Sequence, residues 1–128
     1  MNKITLSVVI PAHNEADNLP RTVSNLVVAL EAADVPHEIV IVDDHSSDET
    51  VHVVEVLAKR FPTVRVVHNE RPNGFGQAIH TGLDSFAGDA VCLVMADGSD
   101  EPRDVIEYYR QLEKGYECVF GTRFVPQA

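Results

Sequence analysis

Apolar residues recur along this chain with two alternating periods, and each period predicts one kind of secondary structure. Short β-branched runs predict buried strands, first at Leu6–Ile10 before Pro11 and again at Glu38–Val42. Between these runs, apolar positions at helical spacing predict a helix from about Asp17. The first third of the chain therefore predicts one β-α-β unit.

The same alternation continues through the rest of the sequence. Ser46 and Glu49 have the spacing of a capping box, which predicts that a second helix begins just before Val51. Further strands are predicted at Val64–Val67, Ala90–Met95 and Cys118–Phe120. Helices are predicted from about Gln77, with Ile79, Leu83 and Phe86 buried, and from about Pro102.

The composition of these strands predicts the fold class. They consist almost wholly of valine, isoleucine and leucine and are separated by helices, as in parallel sheets that are covered on both faces. A chain of 128 residues with 45% hydrophobic residues suffices for one domain with a core. We expect a single α/β domain over residues 1–128, a Rossmann-like three-layer α/β/α sandwich with a mostly parallel sheet.

Charge excludes several classes of partner. The chain has 20 acidic residues against 10 lysines and arginines, a net charge of -10, which argues against nucleic acid and against an anionic membrane surface. No apolar stretch approaches the roughly 20 residues of a transmembrane segment, and the N-terminus does not resemble a signal peptide. We therefore expect a cytoplasmic location, with Cys92 and Cys118 as reduced thiols in core strands.

Acidic side chains follow the predicted strands, at the edge where open parallel sheets bind their ligands. Asp43 and Asp44 follow the second strand, and Asp97 follows the fourth. Helix capping explains Ser46 and Asp100, but not these three carboxylates together. A bound cation, a raised carboxyl pKa or hydrogen bonds to a ligand would relieve their repulsion. If a cation binds, the oxygen ligands favour Mg²⁺ or Mn²⁺ shared with substrate phosphates. The pattern predicts a nucleoside diphosphate as the ligand.

A glycine-rich turn, "NGFGQA", follows the third predicted strand and opens the next helix. One interpretation is a ligand-binding turn, because free N–H groups at a helix start can bind ligand oxygens. The other, which is equally favoured, is an ordinary loop with glycines in the left-handed conformation. The six histidines lack metal-ligand spacing, so each is interpreted as an ordinary loop or helix residue.

Five stretches carry a resemblance to a known family: "SVVIPAHNEADNL", "EIVIVDDHSSDET", "NGFGQAIHTGL", "CLVMADGSDEP" and "VFGTRF". Each is moderately specific alone, but their order and spacing are highly specific. The chain is similar over nearly its whole length to the GT-A-fold glycosyltransferases of family 2. The closest resemblance is to the dolichol-phosphate or polyprenyl-phosphate mannosyltransferase-like branch.

This resemblance implies a pocket for a nucleotide-sugar donor. Asp43 or Asp44 would contact the base or ribose, and Gly74 and Gly76 would let the backbone approach the donor. The remaining residues of the pocket would be Pro11, Ala12, Asn14 and Glu15.

The resemblance also implies a metal site on the donor diphosphate. Asp97 matches the last acid of the family's Asp-x-Asp motif, and Ser99 lies where this branch often has a metal-contacting glutamine. Arg123 would meet the donor phosphate, so Asp97 and Arg123 are the expected catalytic residues. Met95 replaces the first acid of the motif, which reduces the ligand set for Mg²⁺ or Mn²⁺ unless Asp100 compensates.

The activity that the resemblance implies is inverting transfer of a sugar from GDP-mannose, or alternatively a UDP-sugar, to a polyprenyl phosphate or a sugar. A sugar alcohol would need a carboxylate base, whereas a lipid phosphate is already anionic. Members of the family are longer, so we expect this chain to lack the C-terminal acceptor-binding part. The longer parent would lie in the cytoplasm or at the cytoplasmic face of a membrane.

Two other interpretations compete with the transferase. Met95 and the short chain favour a non-catalytic nucleotide-binding module or an inactive remnant. A phospho-receiver domain has a similar length, sheet and acidic edge, but its acid pair follows the first strand and a lysine follows the fifth. Here the pair Asp43 and Asp44 follows the second strand, and Arg123 stands in place of the lysine.

Overall fold

The computed structural model describes residues 3–115, which form one parallel sheet and four helices. The four described strands all pair in parallel, which confirms the α/β class and the parallel sheet. The predicted strand Cys118–Phe120 lies outside the described residues. The elements are β1 Leu6–Ala12, α1 Leu19–Ala32, β2 His37–Asp43, α2 Thr50–Arg60, β3 Val64–His68, α3 Phe75–Ser85, β4 Ala90–Leu93 and α4 Pro102–Glu113.

Helices cover both faces of the sheet, as the strand composition predicted. On one face, Ile10 and Ile39 belong to the large core that includes residues of α1, α2 and α4. On the other face, Val9 and Val40 pack with Ala78 of α3 in a smaller cluster. The chain thus forms the three-layer α/β/α sandwich, and none of its described helices is long and apolar enough to cross a membrane.

The strand order reverses between β1 and β4. The chain runs from β1 outward through β2 to β3 and then returns to place β4 on the other side of β1. Such a reversal opens a crevice at the carboxyl ends of the strands, which is where open α/β sheets bind ligands. A ligand site is therefore expected at the carboxyl ends of β1 and β4.

The start of α2 differs from the predicted capping box. The helix begins at Thr50, and Glu49 makes no side-chain cap. Asp48 Oδ1 instead accepts the Thr50 backbone N–H at 2.9 Å, while Ser46 Oγ accepts the Asn14 N–H at 3.0 Å. The serine thus joins two loops instead of capping the helix.

Helix α3 lies closer to the sheet than its sequence pattern suggests. It begins at Phe75 instead of near Gln77, and Leu83, expected inside, is 40% exposed. The buried residues are the small Ala78 and Gly82. Small side chains let the helix backbone approach the strands closely, so the larger apolar residues are displaced to its flanks.

Strand β4 is shorter than predicted and ends at Leu93 instead of Met95. Val94 still donates its N–H to Val9 O at 3.0 Å, after which the chain leaves the sheet in a turn. Within β4, Cys92 packs against the large core, and burial, aided by Asp100, raises the pKa of its thiol to about 12. This cysteine remains a protonated core thiol at neutral pH.

A polar network joins three strands at the end of the sheet opposite the predicted site. Glu38 is 17% exposed and accepts the Ser7 hydroxyl at 2.6 Å, Arg65 Nε at 2.9 Å and the Ala87 N–H at 2.6 Å. Ser7 Oγ in turn accepts the Gly88 N–H at 2.9 Å. Burial alone would raise the pKa of Glu38, but the bonds to Arg65, Ser7 and Ala87 outweigh it and lower the pKa.

Candidate functional site

The carboxyl ends of the strands bring four of the predicted site residues next to one another. Ala12 lies in register with Asp43, and Asp43 with His68 on the next strand. The Asp44 N–H donates to Ala12 O at 2.8 Å, which continues the pairing past the end of β2. Pro11, Ala12, Asp43 and Asp44 therefore share one edge of the sheet.

Asp44 holds the glycine-rich loop in place. Its side chain is buried, with Oδ1 accepting Asn69 Nδ2 at 2.9 Å and Oδ2 accepting the Gly74 N–H at 3.0 Å. Hydrogen bonds to an ionised acceptor are stronger than those between neutral groups. Asp44 thus links the end of β2 to the start of α3 and forms a wall of the site.

Asn69 is the centre of this wall, although the sequence did not identify it as a site residue. Its side chain is 4% exposed, and Nδ2 donates to both Asp44 and Pro72 O. Its Oδ1 accepts the Arg71 N–H at 3.0 Å and the Thr81 hydroxyl at 2.7 Å. The available signal was its position directly after β3, where a buried amide satisfies loop backbone groups.

Asp43 has a different environment from its neighbour. It is 6% exposed, and Oδ2 lies 3.4 Å from His68 Nδ1. Its Oδ1 is buried and has no hydrogen-bond partner among the described residues. Leaving a buried acceptor unpaired destabilises a protein by about 1–3 kcal/mol, so such an atom is expected where a ligand supplies the donor.

Asn14 has a structural role that the sequence did not reveal. Its backbone adopts a φ of 54°, in the left-handed region that asparagine tolerates better than most residues. Its Oδ1 accepts the N–H groups of Ser47 at 2.8 Å and Asp48 at 3.3 Å. Asn14 thus fastens the loop after β1 to the loop after β2.

Glu15 makes a second connection between these loops. Its backbone N–H donates to Thr50 Oγ1 at 2.9 Å, at the start of α2. Its carboxylate accepts Asn18 Nδ2 at 2.9 Å, and its carbonyl accepts the Leu19 N–H at 3.1 Å. Glu15 and Asn14 both shape the rim of the predicted pocket through protein contacts.

The two glycines predicted for the site, Gly74 and Gly76, differ in how well their positions would accept a side chain. Gly74 has a φ of 151°, a conformation that strains other residues, and it precedes the first turn of α3. Gly76 lies inside that turn, and a Cβ there would have nothing within 4 Å. Gly74 is needed for the backbone path, whereas Gly76 leaves open space beside the helix start.

These residues enclose a groove of about 330 Å³ that we name the wall groove. Its floor is the end of β1, and Phe75, 55% exposed, lies at the first turn of α3. The residues that line it are Pro11, Ala12, His13, Asp44, Asn73, Gly74 and Phe75.

Two histidines at this edge make loop contacts that the sequence did not predict. His13 Nδ1 is 2.6 Å from Asp44 O, and His45 Nε2 is 2.7 Å from Arg71 O. His45 has a φ of 54°, so its backbone turns sharply just after the two aspartates. Both rings connect neighbouring loops of the site.

Asp97 occupies an exposed turn after β4. Its Oδ1 accepts the Ser99 N–H at 2.9 Å, and Gly98 between them has a φ of 79°. Asp100 Oδ2 accepts the Met95 N–H at 2.7 Å, so this acid closes the turn from within. We call residues 95–100 the Asp97 turn.

The Asp97 turn borders a second groove of about 240 Å³, which we name the α1–α4 groove. It is lined by Arg21 and Thr22 of α1, by Asp97 and Asp100, and by the start of α4. Strand β1 separates this turn from β2, so two interstrand spacings, about 10 Å, divide the two sets of acids. The structure therefore separates Asp97 from Asp43 and Asp44 instead of placing all three carboxylates in one cluster.

The residues present fit a cation that is shared with a ligand. Within residues 3–115, no three histidine, cysteine or acidic side chains come together to hold a metal ion. Asp97 and Ser99 offer a carboxylate and a hydroxyl on an exposed turn, and Mg²⁺ often binds one or two carboxylates plus substrate phosphates. Arg123, the other predicted catalytic residue, lies outside the described residues.

Comparison with protein families gives one match over most of the chain. The model of "Glycosyl transferase family 2" matches residues 7–128. A dolichol-phosphate mannosyltransferase from Pyrococcus furiosus is 30% identical over 94% of this chain and 33% of its own length. An undecaprenyl-phosphate 4-deoxy-4-formamido-L-arabinose transferase from Edwardsiella ictaluri is 34% identical over 91% of this chain and 36% of its own.

Solved structures agree with this match. A mannosyltransferase from Pyrobaculum calidifontis, in complex with GDP-Man and Mn²⁺, superposes with a TM-score of 0.65 at 26% identity. The superposition covers 76% of this chain and 28% of that one. The chain thus spans about a third of the length of the curated relatives that it matches.

Proposed function

Because the chain belongs to glycosyltransferase family 2, we propose that it is the donor-binding part of an inverting sugar transferase. The donor is a nucleoside-diphosphate sugar, GDP-mannose first and a UDP-sugar second, and the acceptor is a polyprenyl phosphate. The mannosyltransferase in complex with GDP-Man and the two relatives named for lipid-phosphate acceptors support this assignment.

The buried Oδ1 of Asp43 is the observation that carries the proposal. It is an acceptor at the ligand-binding edge of the sheet, and none of residues 3–115 donates a hydrogen bond to it. Guanine and uracil each present a ring N–H that donates to a carboxylate, whereas adenine and cytosine present a ring nitrogen that accepts. Asp43 therefore favours a guanine or uracil nucleotide, and Asp44, whose two oxygens already accept protein donors, holds the wall.

The diphosphate extends from the base towards the Asp97 turn. Ribose separates the base from the phosphates, so one nucleotide can reach from the end of β2 past β1 to Asp97. Pro11, Ala12 and Gly74 line the path, and the positive end of α3 favours an anionic ligand. Asn14 and Glu15 fix the loops around the path.

Asp97 and Ser99 would hold Mg²⁺ or Mn²⁺ together with the diphosphate. When bound, the cation supplies positive charge that stabilises the departing nucleoside diphosphate. Arg123 adds a second positive charge at the donor phosphates in this proposal. Asp97 orients the donor so that the anomeric carbon faces the acceptor.

The names of the two relatives support a lipid phosphate as the acceptor, and its anionic oxygen would attack the anomeric carbon without a general base. Attack from the face opposite the leaving diphosphate forms the new C–O bond, breaks the old one and inverts the anomeric centre. Acceptor contacts belong to the longer parent, since this chain spans about a third of its relatives. That parent acts in the cytoplasm, at the cytoplasmic face of a membrane.

Calorimetric titration of the 128-residue chain with GDP, UDP, ADP and CDP tests the proposal, each with Mn²⁺, Mg²⁺ or EDTA. We expect metal-dependent binding of GDP or UDP, with ADP and CDP at least tenfold weaker. Asp97→Ala should remove the metal-dependent part of the affinity. Asp104→Ala, at an exposed acid in the first turn of α4, is the matched control and should bind as wild type.

Absence of binding to all four nucleotides would contradict the donor-site proposal. A non-catalytic nucleotide-binding module is the second candidate, because Met95 supplies no carboxylate to the Asp97 turn. Metal-dependent binding without sugar transfer to a polyprenyl phosphate by the full-length parent would favour that module.

A further inference from the structure

A buried hydroxyl joins the Asp97 turn to α1. Thr22, 9% exposed, donates from Oγ1 to Ala96 O at 2.9 Å, and the two residues are 74 positions apart in sequence. A helical threonine commonly donates to a carbonyl three or four residues earlier in its own helix. Here the Asn18 carbonyl accepts the Thr22 backbone N–H, and the hydroxyl points to the neighbouring turn.

The turn needs such an anchor because the sheet no longer holds it. The bond from the Val94 N–H to Val9 O is the last that extends the pairing of β1 and β4, and the Asp97 turn begins at the next residue. Inside the turn, Asp100 accepts the Met95 N–H at 2.7 Å and Asp97 accepts the Ser99 N–H at 2.9 Å, but these bonds join residues of the turn to one another. One flank is open to the α1–α4 groove, so packing alone does not fix the turn.

Thr22 also lies close to Gly98, the residue that follows Asp97. A Cβ on Gly98 would lie 3.3 Å from Thr22 Oγ1, so the hydroxyl sits directly against the turn. The carbonyl that accepts the hydroxyl belongs to Ala96, which immediately precedes Asp97. Displacement of Ala96 would therefore carry the Asp97 carboxylate with it.

We propose that Thr22 is a positioning residue that sets the location of the Asp97 carboxylate and, through it, the affinity for a cation and diphosphate together. The proposal rests on the proposed function, which assigns Asp97 to the donor metal. Thr22 touches neither the nucleotide nor the cation; it acts through the Ala96 carbonyl.

Three variants of the 128-residue chain test this role. Thr22→Val keeps the shape but removes the hydroxyl, and Thr22→Ser keeps the hydroxyl. Thr63→Val is the matched control, because Thr63 Oγ1 lies 3.1 Å from His37 Nε2 at the opposite end of the sheet. Thermal unfolding first identifies any variant that fails to fold. If Thr22→Val does not fold, Thr22→Ala removes the hydroxyl in its place and is measured in the same way.

Hydrogen exchange of the free protein gives a readout that needs no ligand. We expect the amides of Gly98 and Ser99 to exchange about three- to tenfold faster in Thr22→Val, as for loss of one hydrogen bond. Thr22→Ser and Thr63→Val should leave these amides as in wild type. Unchanged exchange in Thr22→Val would overturn the proposal, whether or not the protein binds nucleotides.

Calorimetry with GDP and with UDP, each with Mn²⁺ or EDTA, then tests the effect on the site. Thr22→Val should weaken the Mn²⁺-dependent affinity about three- to tenfold and leave the affinity in EDTA unchanged. Equal weakening with and without Mn²⁺ would show a general structural role and overturn the proposal. If wild type binds neither nucleotide, the proposed function fails, while the exchange result separately decides whether Thr22 holds the turn.

Discussion

At the residue scale, Asp43 and Asp44 show how adjacent identical residues acquire different roles. The sequence located both at the ligand edge, because acids directly follow an apolar strand. It left open which of them contacts the base, because the distinction depends on Asn69 and Gly74, which lie 25 and 30 residues from Asp44. Asp44, whose carboxylate the fold already satisfies, shapes the wall, whereas Asp43 keeps one oxygen that has no partner within residues 3–115.

We therefore predict opposite effects of two isosteric variants. Asp43→Asn should weaken GDP or UDP binding by at least tenfold, as loss of a charged acceptor does, with little change in stability. Asp44→Asn should destabilise the protein by about 1–3 kcal/mol, because an amide N–H₂ would face the donors of Asn69 or Gly74. Urea unfolding and calorimetry measure the two quantities separately. Equal loss of stability in both variants would contradict the division of roles.

At the scale of elements, the sequence predicted which segments form helices and strands better than how closely they pack. The period of apolar residues located all eight described elements. It misplaced the inward face of α3, because its pattern selects large residues and the helix instead packs through Ala78 and Gly82. It also assigned the start of α2 to Ser46 and Glu49, since a capping box cannot be distinguished from the loop contact to Asn14 by spacing.

Two glycines of α3 give a matched test of this packing. Gly82→Ala should destabilise the protein by about 1–3 kcal/mol, because its Cβ would overlap the side chain of Val9. Gly76→Ala should be neutral or stabilising by about 0.5–1 kcal/mol, since its Cβ meets open space in a helix. Urea unfolding of both variants measures the difference. Similar stabilities would show that α3 does not depend on close approach to β1.

At the scale of the whole molecule, the sequence predicted the layers of the sandwich but not the separation of its acids. Parallel strands covered by helices follow from composition, and the ligand edge follows from the ends of the strands. The return of β4 to the far side of β1 is a property of topology, which local patterns do not encode. For this reason the three acids were expected in one cluster, whereas Asp44 lines the wall groove and Asp97 lines the α1–α4 groove.

The stability of the folded protein depends on pH through Glu38, which lies at the end of the sheet opposite the site. Because its pKa is lowered in the folded protein, its ionised form contributes stability above the ordinary value of 4.5. That contribution is lost as pH falls through the lowered pKa. We expect Glu38→Gln to lower stability at pH 7 by about 1 kcal/mol. Between pH 5 and pH 3, the variant should then lose less stability than wild type does, because it has no carboxylate to protonate at this position.

Thermal unfolding between pH 7 and pH 3 tests this expectation. Asp34→Asn is the control, because the Lys3–Asp34 pair is exposed and should contribute little. Parallel pH curves for wild type and Glu38→Gln would contradict the role of Glu38 in acid stability.

The alternation of Asp43 and Asp44 across the sheet makes the length of β2 part of the site. Insertion or deletion of one residue between Ile39 and Asp43 would turn the side chains beyond it to opposite faces. After an insertion, Val42 would take the register position of Asp43, and Asp43 that of Asp44. After a deletion, Asp44 would take the position of Asp43, and His45 would lie opposite Asn69 and Gly74. Insertions are therefore better tolerated in the loop after Asp44 than in β2, because an insertion in the strand changes the register of every residue that follows it.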